Sequence, residues 1–306
     1  MNKVLVALLI LGAASYAVAG TEINQTRELA PDGTVSIDNV KGSIKIFGWD
    51  KKEVEITGTL GNGVDKLDIS GSKSRLRIKV EYPSGFWRHA KESDLVIHMP
   101  RSADAEANGV SASIVLEDVD GELDLESVSG SIRVDGGTKS VSAQSVSGSV
   151  RVESNAKRIE ASSISGRVQV EASAEEVHAK SVSGSVTVEG VSGRIRASSV
   201  SGSIHVEAKT IAEAKLSTTS GSVSLEGALA DGGEVDCGSH SGSVTIEFTN
   251  KPSARFDLST FSGSIHVDLD NARGLSGGRN LSFTTGEGKG EVDANSFSGS
   301  VRISGK

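Results

Sequence analysis

One eight-residue phrase, Val128-Ser129-Gly130-Ser131-Ile132-Arg133-Val134-Asp135, constrains this chain more than any other feature, because it keeps returning. It comes back as Val146-Ser147-Gly148-Ser149-Val150-Arg151-Val152-Glu153, then around Gly166, Gly184 and Gly202, each glycine 18 residues after the last. The series continues at Gly221, Gly242, Gly263 and Gly299 with steps of 19, 21, 21 and 36. One unit earlier, Ala112 stands in the glycine's place. With so short a period, each unit is one supersecondary element that can bury apolar residues only by stacking on its neighbours.

Counted from each glycine, positions +2 and +4 are aliphatic (Ile132 and Val134, Val150 and Val152, Val168 and Val170), and so is −2 (Val128, Val146, Ile164, Val182, Val200). Strand residues of one parity share a face. The sequence therefore predicts −2, the glycine, +2 and +4 pointing inward. Serine at −3, −1 and nearly always +1 then points outward with the acid at +5. Each unit's second half carries another short pattern, such as Arg158-Ile159-Glu160-Ala161. Alternation and β-branched content oppose a helix. The predicted class is all-β: a parallel β-solenoid, β-helix- or β-roll-like, with two short strands per 18-residue turn. About eleven turns from Ala112, at ~4.8 Å each, would make a rod on the order of 50 Å long. Glycine weakens a strand, so its recurrence predicts a bend or a close backbone approach.

Before the repeats, residues 20–109 show alternating strands of irregular spacing, as in Thr34-Val35-Ser36-Ile37-Asp38 and Leu76-Arg77-Ile78-Lys79-Val80. This reads as an irregular N-terminal β cap on repeats spanning 110–306. Residues 1–19 read as a signal peptide: Lys3, an apolar run over 4–14, then Ala17-Val18-Ala19 before Gly20. That run is too short for a membrane span, and no later one replaces it, so no integral membrane segment is expected after cleavage. The expected location is the periplasm or cell surface of a bacterium. The net charge of −8, or −9 once Lys3 leaves with the leader, repels phosphate backbones and argues against nucleic acid. The single cysteine, Cys237, reads as a packed thiol rather than half of a disulfide.

Gly48-Trp49-Asp50 after the Gly42-Ser43-Ile44-Lys45-Ile46 strand, then residues 95–100 and the Ser-Gly-Ser-Val turns, resemble the bacterial putative-adhesin family, a domain of unknown function. The resemblance covers nearly all of the chain from Gly20. It implies a solenoid of β-strand repeats and supplies no catalytic residues.

Candidate binding residues fall in two places. Phe86 and Trp87 belong to an aromatic cluster, Tyr82-Pro83-Ser84-Gly85-Phe86-Trp87, which reads either as a loop folded against the solenoid or as a recognition tip. The serine columns, represented by Ser129, Ser131, Ser147, Ser149, Ser183, Ser185, Ser201 and Ser203, read as small residues suited to tight stacking, as a hydroxyl surface for a glycan, or as an ice-binding array. The +5 acids, from Asp135 to Asp268, lack the paired carboxylates of a calcium cage and read as a solvated column. His240, in a −2 position, reads as a core substitution. No serine has a recognisable activating base, so no enzyme, metal site or cofactor is expected.

The expected function is structural or adhesive, with a rigid polar surface meeting a cell-envelope component, polysaccharide or protein partner. A periplasmic accessory or sensor module in envelope stress is the alternative, and a carbohydrate-active enzyme comes third. Strand 300–304 has no evident cap, which raises self-association through an open C-terminal edge.

Overall fold

The computed structural model describes residues 20–83, 90–137, 139–270, 272 and 275–305. These are all-β, with no helix among them. Each unit of the middle region gives one strand to each of two parallel ladders. In the first, Glu122–Ser127, Ser140–Ser145, Arg158–Ser163 and Glu176–Ser181 pair in sequence, every residue opposite the one 18 positions on. In the second, Ile132–Gly136, Val150–Ser154 and Val168–Ala172 do the same. The alternation built into each strand puts Leu123, Leu125, Val141, Ala143, Ile159 and Ala161 of one ladder against Ile132, Val134, Val150 and Val152 of the other, all 2% exposed or less. Burying one such Val, Leu or Ile side chain is worth ~1.5–3 kcal/mol, and every rung repeats the gain.

The corner between ladders explains the glycine. A Cβ placed on Gly148, Gly166, Gly184 or Gly202 would lie 2.0 Å from the carbonyl oxygen of the glycine one turn earlier. None of these glycines adopts a left-handed conformation, so close approach alone excludes a side chain. The −3 residue locks the same corner. Ser145 Oγ donates to Gly130 O (3.1 Å) and accepts from Gly148 N (2.9 Å), and Ser163, Ser181 and Ser199 repeat both bonds. Thr218, Ser239, Ser296 and Thr260 keep the bond to the neighbouring carbonyl.

This overturns the predicted parity. The −3 hydroxyls are buried (Ser145 5% exposed, Ser181 4%), whereas the −2 aliphatics face solvent (Val128 44%, Ile164 49%). The residues between −3 and the second ladder form a bend, not a strand, so alternation does not carry across them. His240 is likewise exposed, not a core substitution.

Both ends depart from sequence order. Near the N-terminus, Thr34–Trp49 sits between the turn formed by Arg75–Glu81 and Ser93–Pro100, which lies outside it, and Asp104–Glu117, which follows inside. Antiparallel strands Lys66–Gly71 and Glu53–Leu60 cover that outer turn, and Thr21–Glu28 pairs onto the second of them. At the far end, Gly290–Ser296 and Val301–Gly305 slot between the turn of residues 234–248 and the turn of Ala254–Thr260 and Ile265–Asp268. From Ala112 the rungs therefore run 112, 130, 148, 166, 184, 202, 221, 242, 299, 263, which is ten turns rather than eleven. The strand over 301–305 is paired on both sides, so the predicted open C-terminal edge does not exist there. The outermost turn is instead capped by antiparallel Asn280–Thr284 and Leu275–Gly277. Phe248, Phe256 and Phe283 fill this end, with ring centroids 6.1 and 4.6 Å apart.

Candidate functional site

The bend at each corner lifts the −2 side chain clear of the core, and stacking turns these side chains into a column. Its order is Val110, Val128, Val146, Ile164, Val182, Val200, Thr219, His240, Phe297, Phe261. Backbone bonds join neighbours along it: Ser147 N donates to Val128 O (2.8 Å), Ser183 N to Ile164 O (2.8 Å), Ser298 N to His240 O (2.9 Å) and Ser262 N to Phe297 O (2.9 Å). The six aliphatics from Val110 to Val200 are each 40–49% exposed. At the C-terminal end the column becomes aromatic. His240, Phe297 and Phe261 stack at 4.7 Å between successive centroids, and the Arg279 guanidinium lies 5.2 Å over Phe261.

Beside the aliphatic part runs a groove of about 610 Å³. Its floor is the buried −3 serines Ser127, Ser145, Ser163, Ser181 and Ser199, and one wall is the column from Val128 to Val200. The other wall is the −4 column: Asn108, Glu126, Gln144, Ser162, Lys180 and Ser198. The floor's hydroxyls are occupied by the corner bonds just described, which leaves the apolar wall and the −4 side chains to meet a partner.

Of the predicted binding residues, Ser129, Ser131, Ser147, Ser149, Ser183, Ser201 and Ser203 are exposed and Ser185 half-buried. None of them lines the groove. The −1 serines adjoin the apolar column on its other side, and the hydroxyls of Ser129, Ser147, Ser183 and Ser201 make no hydrogen bond within the described residues. The structure thus brings a hydroxyl column and an apolar column together, and the sequence reading found only the first. A signal was present. Position −2 admits Val, Ile, Thr, His and Phe along the chain, a range that a close-packed core would refuse. Phe86 and Trp87 lie outside the described residues.

The +5 acids line a second groove of about 560 Å³, from Asp135 and Glu153 to Glu171, Glu189 and Glu207. Arginines at +3 thread between them. Arg133 Nη2 is 3.2 Å from Glu153 Oε1, and Arg151 bonds Glu153 and reaches Glu171 at 3.9 Å. The hydrogen bond from Arg151 holds the Glu153 carboxyl below the usual range. No group of three or more His, Cys, Asp or Glu among the described residues is arranged to hold a metal ion. His178, which has no evident partner in the sequence, lies 3.4 Å from Glu176 and 3.3 Å from Arg196. Cys237 is buried, and that burial pushes its thiol far above the ordinary range, where it is inert.

No helix in the described residues is long and apolar enough to cross a membrane. Comparison with known proteins gives a fold-level answer. The family model described as Toastrack DUF4097 matches residues 36–304. Among solved structures, a putative adhesin from Bacteroides fragilis is 11% identical, covers 92% of this chain and 97% of its own, and superposes with a TM-score of 0.41. A putative lipid binding protein from Parabacteroides distasonis is 12% identical over 93% and 97%, TM-score 0.44. A putative adhesin from the same organism is 14% identical over 93% and 97%, TM-score 0.35. No curated protein matches the chain.

Proposed function

Since the chain belongs to the Toastrack DUF4097 family, we propose that it is a parallel β-solenoid of two short strands per turn with an exported, non-enzymatic, adhesin-like role. Its contact surface is the corner strip: the apolar column, the groove beside it and the −1 hydroxyls. Its partner is an extended cell-envelope component, polysaccharide or protein. One observation carries this reading. Six aliphatic side chains stand 40–49% exposed in a continuous line, and a contiguous apolar strip on a protein surface marks a place of contact. A strip with one rung spacing throughout favours shallow contact repeated over many rungs, not a single deep pocket.

The test is capture of isolated envelope fractions and of soluble periplasmic extract by the purified protein, with the double variant Val146→Lys/Ile164→Lys beside it. Both positions are exposed, so the variant should fold. Retention of sacculi, polysaccharide or outer membrane by the natural chain, lost in the variant, is the expected result. Retention that the variant leaves untouched would move the contact surface off this strip. Capture of one periplasmic protein would favour an accessory module.

A further inference from the structure

The strip is self-complementary. The −4 wall of the groove reads Asn108, Glu126, Gln144, Ser162, Lys180, Ser198, one residue per rung. Reversing the order about its midpoint, between Gln144 and Ser162, sets Asn108 against Ser198, Gln144 against Ser162, and Glu126 against Lys180. The apolar column reverses about the same midpoint, pairing Val110 with Val200, Val128 with Val182 and Val146 with Ile164. Within one chain Glu126 and Lys180 are three rungs apart, ~14 Å at the ladder spacing. Both are exposed, and neither has an ion partner among the described residues.

We propose that in the free protein this strip is covered by a second copy of the chain, docked antiparallel about a two-fold axis perpendicular to the column. The proposal rests on the reading of the strip as a contact surface and names what covers it. A two-fold axis in that orientation lays each column on its own counterpart. It places Glu126 of each copy opposite Lys180 of the other, so the pair forms twice and all four charges are matched. Self-complementarity of this kind is what an isologous interface requires. Matching periodicity adds specificity, because only a partner with the same rung spacing stays in step over six rungs. The covered area is modest. Six rungs by the five-residue width of the strip give about 1,000 Å² in total, at the low end of specific interfaces. The dimer should therefore be weak, with dissociation in the micromolar range.

Sedimentation velocity across a concentration series reads this out, with charge exchange to fix the geometry. Glu126→Lys sets lysine against lysine at both pairs, Lys180→Glu sets glutamate against glutamate, and each alone should weaken dimerisation at least tenfold. Mixing the two single variants should restore association as a heterodimer, since every pair then has opposite signs, and the double exchange should restore the homodimer. Ile164→Lys, at the centre, should leave only monomer with an unchanged circular dichroism spectrum. A natural chain that is monomeric at hundreds of micromolar overturns the proposal, as does a dimer indifferent to these changes. A monomer that still captures envelope material through Val146 and Ile164 would overturn self-pairing and leave the contact-strip reading intact.

Discussion

The middle of the molecule and its two ends are built by different rules, although both are made of the same turns. From residue 122 to residue 189 each strand pairs with its counterpart in the next turn at an offset of 18, and like inward side chains stack on each other, as Ala143 on Ala161 and Val150 on Val168. At the ends, turns are placed out of sequence order and closed with antiparallel strands. The middle is extensible, because each rung touches only the next. The ends must stop the extension, because an uncovered parallel edge is a template for another chain. Closing strands that come from within the chain solve this, at the cost of long connections and a broken repeat.

The sharpest way to break this comparison is by deletion. Removing residues 148–165, one whole interior unit, leaves every remaining corner in register and should yield a folded, shorter rod. Removing residues 290–305, a slightly smaller piece, empties a rung between the turn of residues 234–248 and the outermost turn. Amide exchange should then show loss of protection across residues 254–268, with the middle unaffected. Protection kept over 254–268 would mean that the outer turn slides inward to close the gap, and the two regions would be more alike than their wiring.

Substitutions at corners give the next largest effect. Gly148→Val drives side-chain carbon into the Gly130 carbonyl and should cost on the order of 3 kcal/mol in urea denaturation. Gly278→Ala, near the C-terminal cap with nothing within 4 Å of its new carbon, should stay within ~0.5 kcal/mol. Smaller than the Gly148 effect, Ser145→Ala removes a buried hydroxyl that serves two backbone groups and should cost ~1–3 kcal/mol. Its exposed neighbour Ser147→Ala should cost nothing measurable, which would confirm that two serines two residues apart do unrelated work.

The smallest effect separates the ends by pH. Asp293 sits between Asp236 and Asp257 on adjacent rungs. Burial first, and then these and neighbouring carboxylates, raise its pKa. A carboxyl whose folded pKa lies above its unfolded one costs stability once it ionises. The penalty is absent below the unfolded value, grows as pH rises through the folded value, and is full at neutral pH. Asp293→Asn should therefore stabilise the C-terminal end at pH 7 by a few tenths of a kcal/mol and be neutral near pH 3. An equal gain at both pH values would remove the carboxylate repulsion from the account.

Much of this architecture was legible in the chain. The 18-residue step identified the repeating unit, and positions +2 and +4 are buried as alternation requires. The corner was misread, because alternation holds only while the backbone stays extended, and the Ser-x-Ser-Gly segment bends. The hydroxyl at −3 of every corner glycine from Gly130 onward, against the variety at −2, held the correct answer in plain sight. The order of the C-terminal turns was not legible, because every rung offers its neighbours nearly the same pattern. Nothing local tells Gly299 to lie beside Gly242 rather than beyond Gly263. The apolar strip went unseen for the first of these reasons, since it is the misassigned parity itself.

The intercalated turn of residues 290–305 also has a meaning in time. A chain synthesised from its N-terminus presents residues 254–268 well before the piece that belongs inside them. Until that piece arrives, the outer turn has no rung to rest on, and the strand over 244–248 keeps a bare edge. The rod therefore cannot be finished progressively as it emerges. Its last wedge acts as a check on completeness, and a chain cut short before residue 290 would be left with the kind of open edge that proteases and aggregation find first.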